Sequence, residues 1–283
     1  TTLQCNNNQI NNLDLSKNIE LITLQCNNNQ INNLNVSKNI ELIQLICFKN
    51  QLTNLDLSKN INLTSLSCYE NQLTNLDLSK NIELTYLTCF DNQLINLDLS
   101  KNTELERLYC TNNSLINLDL SKNIELYSLY CDENQLTNLD LTKNIRLSEL
   151  VCKDNILNSL NISPLLDLVV LNCCNQAEGF ILYLTNKQKN IFNEYHYCDA
   201  ILKEKDGSIC EIEWLDIYPN PTAGKFFIDS KFFADEIKIL NLAGKILYRE
   251  TLSAEKTEID ISNLPAGVYF VITKGKIGKV VKN

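Results

Sequence analysis

The chain has 283 residues, a formal net charge of −9 and a single histidine, His196. The acidity sits in residues 1–178, with 11 Lys/Arg against 20 Asp/Glu, whereas residues 179–283 hold 14 of each. An acidic surface without clustered Lys and Arg argues against nucleic acid and against anionic lipid, and no run of 18 apolar residues offers a transmembrane helix.

From the N-terminus the chain repeats itself. Thr1 already lies inside a repeat, so the sequence is expected to begin upstream and the missing signal peptide carries no information. Cysteines fall at 5, 26, 47, 68, 89, 110, 131, 152 and 173, a spacing of 21 residues each time. A fixed period of this size marks a solenoid. One unit, Leu63 to Asn81, reads LxxLxCxxNxLxxLDLxxN, two half-units each close to LxxLxLxxN. Leu66 and Cys68 are two apart and share one face of an extended segment, as do Leu76 and Leu78. Leu63 and Leu73 fill the space before each segment. A single coil cannot bury this apolar set, but stacked coils can. Nine coils at strand spacing make a rod on the order of 40 Å long.

Two asparagine columns punctuate the coils. The first includes Asn29, Asn50, Asn71, Asn92, Asn113 and Asn134, and the second runs from Asn18 to Asn144. A sharp turn leaves backbone groups that must find partners. An inward Asn amide supplies donors and an acceptor to its turn and to the adjoining coil, so a structural ladder is expected. The pattern resembles nested 21-residue leucine-rich repeats of the IRREKO type, in the variant with Cys at the third apolar position, over roughly residues 1–176. It frays where Leu165 stands at a ladder position and Gln176 replaces the last Asn. A C-terminal cap is expected to follow.

Nine cysteines occupy a position that otherwise takes an aliphatic side chain, which reads as a column of buried thiols. Zinc needs a tetrahedral ligand cage, and a linear column without histidine offers none. A ladder of disulfides would rotate the side chains out of their packed rotamers. Cys174, Cys198 and Cys210 break the period, and two of them are expected to staple the cap in an exported protein. Cys198–Cys210 is the first choice of pair, because it closes a short polar loop.

The outward positions beside the first segment vary from coil to coil, whereas the second half-unit repeats Asn-Leu-Asp-Leu-Ser-Lys-Asn almost unchanged. A surface that recognises something should vary. Aromatics gather there in the middle coils: Phe48, Tyr69, Tyr86, Phe90, Tyr109 and Tyr130. In-register stacking would make them one patch fit for a protein or glycan, although aromatics also favour strands for packing alone. On the other half, Asp14, Asp56, Asp77, Asp98, Asp119 and Asp140 form a column. Lys residues three positions later offset their repulsion, and Gly-rich calcium turns are missing, so no metal is expected.

All seven glycines lie at or beyond Gly179, and three of the four prolines lie beyond Pro164, so the architecture changes near residue 180. Residues 177–213 read as a cap and linker, with Phe180, Ile181, Leu182 and Leu184 over the last coil. After Trp214 the runs KFFIDS, EIKILNL, KILYRE, TEIDIS, GVYFVIT and KVVK alternate with Pro/Gly turns, the signature of a small β-sandwich. Tyr218, Pro219, Asn220, Pro221 and Gly224, then Gly244, then Gly267 and Tyr269, and finally the terminal KVVK run, resemble the type A sorting domain of the type IX secretion system. The resemblance implies export through that machinery to the outer-membrane surface of a Gram-negative bacterium or into the medium.

The chain carries no phosphate loop, HExxH or GxSxG, and Asp132 and Glu133 are adjacent on an extended segment and point to opposite faces. The sequence therefore reads as a mainly β protein: a leucine-rich-repeat solenoid (1–176), a cap and linker (177–213) and a sorting domain (214–283). It is expected to bind a protein or glycan, without catalysis or cofactor. The alternatives are a surface rod with no discrete ligand, or an accessory repeat region of a larger exported protein.

Overall fold

A computed structural model describes residues 1–192, 194–204, 213–214, 216–229, 236–241, 245–251, 256–273 and 276–283. The chain divides into two compact units, Thr1–Gly207 and Ser208–Asn283.

In the first unit every coil contributes a three-residue strand with its Leu at the centre. Among the described residues nine such strands, from Thr2–Gln4 to Val170–Asn172, form one parallel sheet in sequence order through Glu149–Val151. Pairing is in register at one repeat, as in Leu66 opposite Leu87 and Leu87 opposite Leu108. A parallel partner requires a long return path, and the remaining residues of each coil supply it. Leu63, Leu66, Cys68, Leu73, Leu76 and Leu78 are all buried, and so are their equivalents from the second coil on, while Leu3, Cys5, Ile10 and Leu13 of the first coil are half-buried. Burying each such Leu stabilises the fold by about 1.5–3 kcal/mol before chain entropy is counted.

The two half-units are not equivalent. The second segment is extended yet makes no strand until Ser159–Asn161, where a separate parallel sheet begins. In coil after coil an Asp or Asn Oδ1 there accepts from the backbone N–H two residues on, as from Ser79 to Asp77 at 2.9 Å, and Asn161 does the same at the end of the strand Ser159–Asn161, so this local bond marks the second segment in both forms.

A turn follows each strand, and its residue just before the first-column Asn takes a left-handed conformation. These residues run from Asn7 to Asn175, with φ between 48° and 61°. Lys49, Glu70 and Glu133 hold it as well as Asn and Asp, so the stacking of coils overrides local preference.

The coils do not stop where the pattern frays. Gln176 takes over the first ladder: Oε1 accepts from Leu157 N at 3.0 Å and Nε2 donates to Cys152 O at 2.8 Å. Gln188, on helix Asn186–Ile191, closes the second by donating to the Ile162 and Leu165 carbonyls at 2.7 and 2.9 Å. Strands Ile181–Leu184 and Ile201–Glu204 extend the second sheet in parallel register with Ser159–Asn161. Phe180, Leu182 and Leu184 are buried, while Ile181 is only half-buried.

The disulfide is Cys174–Cys198, with Cα atoms 5.1 Å apart. The expected Cys198–Cys210 pair is thereby corrected; Cys210 itself lies outside the described residues. The reason is register. The two cysteines are 24 residues apart, about one coil, and a hydrogen bond from Cys173 N to His196 O at 2.8 Å seats the second beside the first.

The second unit pairs a five-stranded sheet with a three-stranded one. The runs expected from sequence appear as Lys225–Asp229, Glu236–Leu240, Ile246–Thr251, Lys256–Asp260, Gly267–Thr273 and Lys276–Lys282. Phe226, Ile228 and Ile259 from one sheet meet Ile237, Ile239, Val271 and Val280 from the other in a single core.

Candidate binding face and sorting motif

Three of the aromatic candidates, Tyr86, Tyr109 and Tyr130, lie on strands of the nine-stranded sheet, and Phe48, Tyr69 and Phe90 lie two residues past the ends of theirs. From the second coil on each strand buries its central Leu, and most of the residues one before and one after it are at least half-exposed, so these positions face out. The aromatics form two sets. Phe48, Tyr69 and Phe90 stack flat, with centroids 4.2 and 4.1 Å apart and planes within 15°. Tyr86, Tyr109 and Tyr130 meet edge to face at 5.8 and 5.0 Å. Geometries of both kinds stabilise a pair beyond its buried area. The flat set uses its inner faces on itself and offers ring edges outward. The zigzag set spends only part of its surface internally.

Between the sets lies Thr88. It pairs with Ser67 and Tyr109 in the neighbouring coils, it is buried although it points outward, and its hydroxyl has no partner. Polar groups that the sequence did not single out border the zigzag set. Ser128 donates to Glu149 at 2.7 Å, and Thr111 donates to the buried Asp132 at 2.7 Å. The Tyr130 hydroxyl titrates above its ordinary value, first through burial and then through the charges of Glu149, Tyr109 and Asp132. Tyr69 is raised in the same direction by burial and Glu70. Arg107 lies over the Tyr127 ring at 4.9 Å and donates to its hydroxyl. No single-column pattern pointed to Arg107 and Tyr127, because they meet diagonally between adjacent coils.

The structural columns lie behind this face. Asn71 Nδ2 donates to the carbonyls of Cys47, Cys68 and Tyr69 at 3.0–3.3 Å, and its Oδ1 accepts from Leu52 N at 3.0 Å. Asn29, Asn50, Asn92, Asn113 and Asn134 repeat the arrangement. Each ladder Asn thus ties its turn to the preceding coil. In the second column Asn81 also donates twice, to Leu57 O and Asn60 O at 3.2 and 2.8 Å. Its Oδ1 and those of Asn39, Asn60, Asn102, Asn123 and Asn144 are buried without a partner. The expectation that both ladders use donor and acceptor therefore holds only for the first, because the second turn presents two carbonyls and no free N–H.

The thiols from Cys26 to Cys173 are buried and unbridged, and Cys5 is half-buried. Burial pushes Cys26 and Cys68 up to about 12, and Cys47, Cys89, Cys131 and Cys152 well above the ordinary thiol value. Thiols that stay protonated are poor nucleophiles and poor metal ligands. Asp77 is held below the usual carboxylate range by its bonds from Ser79 and then by Lys80.

In the second unit the Tyr218–Gly224 segment closes on the terminal strand. Asn220 Nδ2 donates to Lys279 O at 2.6 Å, and its Oδ1 accepts from Val281 N at 2.9 Å. Thr222 bridges Lys282. Both prolines, Pro219 and Pro221, follow cis peptide bonds. Gly224 has φ 136°, and a Cβ there would lie 2.6 Å from Ser262 Oγ, so the position admits glycine only. The Tyr269 hydroxyl donates to Pro265 O at 2.6 Å beside Gly267. Gly244 lies outside the described residues.

These coils, with a Leu-centred strand and an Asn-closed turn every 21 residues, define a leucine-rich-repeat solenoid. Similar solenoids occur in other bacterial proteins of known structure. The functional domain of InlJ from Listeria monocytogenes, described as including a cysteine ladder, superposes with TM-score 0.58 at 24% identity, over 100% of this chain and 66% of that one. An internalin of the same organism, InlF, gives 0.56 at 19% identity over 69% and 59%. A leucine-rich-repeat protein of Leptospira interrogans gives 0.59 at 19% identity over 71% and 54%. The chain therefore spans less than two thirds of the length of these proteins. No curated protein matches it by sequence. Residues 216–283 match the family described as "Secretion system C-terminal sorting domain". The molecule is thus an exported repeat protein: a leucine-rich-repeat solenoid joined to a type IX sorting domain. Among the described residues no helix is long and apolar enough to cross a membrane.

Proposed function

We propose that this protein is a non-catalytic binder, carried by the type IX machinery to the surface or surroundings of a Gram-negative cell. Its ligand, a protein or a glycan, docks on the outward strand face between Phe48 and Tyr130. In this reading residues 1–176 present the face, 177–213 close its end and 214–283 address the protein for export. One observation supports it above the rest: six partly exposed aromatics occupy adjoining positions on the one surface that changes from coil to coil. Exposed aromatic clusters of this kind anchor interfaces at little entropic cost. The test is capture of cell-surface extracts by the full chain and by a variant carrying Tyr86→Ser, Phe90→Ser and Tyr109→Ser. Binding should weaken about tenfold or more with an unchanged circular dichroism spectrum. Equal capture by both proteins would sink the reading.

A further inference from the structure

The solenoid has a second unusual surface, outside the strand columns. In the turn after each second-column Asn, Ile19, Ile40, Ile61, Ile82, Ile124 and Ile145 recur and remain 50–58% exposed. Leu166 continues the row. The turns that carry them stack in register, since Asn60 donates to Asn39 O and Asn81 to Asn60 O, each at 2.8 Å. One branched side chain per coil, about 4.8 Å from the next, makes an apolar ridge interrupted at Thr103. The fold does not require it. Thr103 occupies the same place between Ile82 and Ile124, and Asn102 beside it makes the usual bonds to Leu78 O and Asn81 O. Single exposed apolar residues need no explanation, but a contiguous strip does.

The flanks of the ridge are charged and opposite. Two positions before the ridge residue stands an exposed Lys, as at Lys80 and Lys101; one position after it stands an exposed Glu, as at Glu83 and Glu104. Successive residues run around the coil, so the ridge separates a positive column from a negative one.

We propose that this ridge joins two copies of the chain, side by side and pointing the same way, about a twofold axis parallel to the solenoid. Rotation about that axis exchanges the flanks, so the Lys column of one copy faces the Glu column of the other at the same coil. An antiparallel pair would set Lys on Lys and Glu on Glu along the whole strip. In the parallel pair each coil meets its own copy, so Thr103 faces Thr103 and the apolar contacts are otherwise unbroken. Two positions in the Glu column depart from the pattern: Asn62 is neutral, and Arg146 is paired within its own chain to Glu125. The Ile strip supplies the affinity, and the charges choose the orientation. The interface is isologous, which limits assembly to a closed pair.

Sedimentation velocity on the full chain tests this. The wild type should be a dimer at ~100 μM, a range in which even modest interfaces are occupied. Changing Ile61, Ile82 and Ile124 to Thr, the residue that position 103 already carries, should weaken the dimer about tenfold or more and leave thermal unfolding of the monomer intact. Glu83→Lys with Glu104→Lys should weaken it by a smaller factor, and adding Lys80→Glu with Lys101→Glu should restore it. A monomeric wild type, a dimer indifferent to the Ile changes, or a charge swap without recovery would each overturn the proposal.

Discussion

The two halves of a coil share nearly the same spacing, LxxLxCxxN and LxxLDLxxN, and differ in almost everything else. The first half pairs as a strand, hides a thiol, closes its turn with an Asn that uses donor and acceptor, and varies on its outer side. The second half bends at an Asp, closes with an Asn that only donates, and hardly varies. The same apolar repeat therefore serves two tasks. One half forms a sheet whose free face can diverge, and the other returns the chain one step along the axis. Leu spacing alone does not distinguish them. The residue between the inward pair does vary differently, being Asp or Asn in the second half and free to change in the strand half.

The largest expected difference is in pH response. The strand half holds thiols raised by burial, with Cys68 near 12, against an unfolded value of about 8.5. Their protonated form is favoured by folding, so that stability is complete below pH ~8.5 and falls as pH rises above it, until the folded value is reached. Each fully buried thiol then costs about 1.4 kcal/mol per pH unit. Thermal melts from pH 8 to 10 should show a steep loss, and replacing Cys47, Cys68 and Cys89 by Ala should flatten the slope while lowering the melting point at neutral pH. The bent half has the opposite sign. Its Asp residues titrate below their ordinary value, so their contribution is present above pH ~4 and lost as pH falls. They are exposed, and this loss should be small. A pH-independent melting point between 8 and 10 would break the comparison.

A smaller effect separates the ladders. Asn71→Ala strands the Leu52 N–H and takes one of two donors from each of three carbonyls, whereas Asn81→Ala takes one of two donors from each of two carbonyls and removes an unpartnered buried oxygen. The first should cost about 3 kcal/mol and the second nearer 1 kcal/mol, read from urea midpoints. Equal costs would mean that the second amide oxygen has a partner in solution. Smallest of all, Thr88→Val should raise stability by about 1 kcal/mol, because it removes a buried unpartnered hydroxyl at almost constant shape. A destabilised Val variant would show that the hydroxyl is bonded in solution.

Much of the fold was legible because the repeat multiplies weak signals. One Leu-x-Cys triplet says little, and nine at a fixed spacing specify a register. The sorting motif was legible through its punctuation: Asn220 binds the terminal strand and Gly224 admits no side chain. The aromatic residues could be placed on one face, but their division into a flat stack and an edge-to-face zigzag depends on diagonal distances between coils, as does the meeting of Arg107 with Tyr127. Where the pattern fails, sequence misleads. Leu165 and Gln176 looked like the end of the solenoid, yet Gln176 and Gln188 reach the same carbonyls with one more methylene. The cysteine pair was misassigned because proximity was judged along the chain rather than one coil away.

Sequence alone determined the period, the inward set and the address for export, since these depend on which residue types recur and at what interval. Tertiary structure decided which half becomes a strand, which amide oxygens go unpartnered, how the rings meet and where Ile forms a ridge. Those outcomes are set by contacts between residues 19 to 26 positions apart, and such contacts exist only once one coil lies on the next.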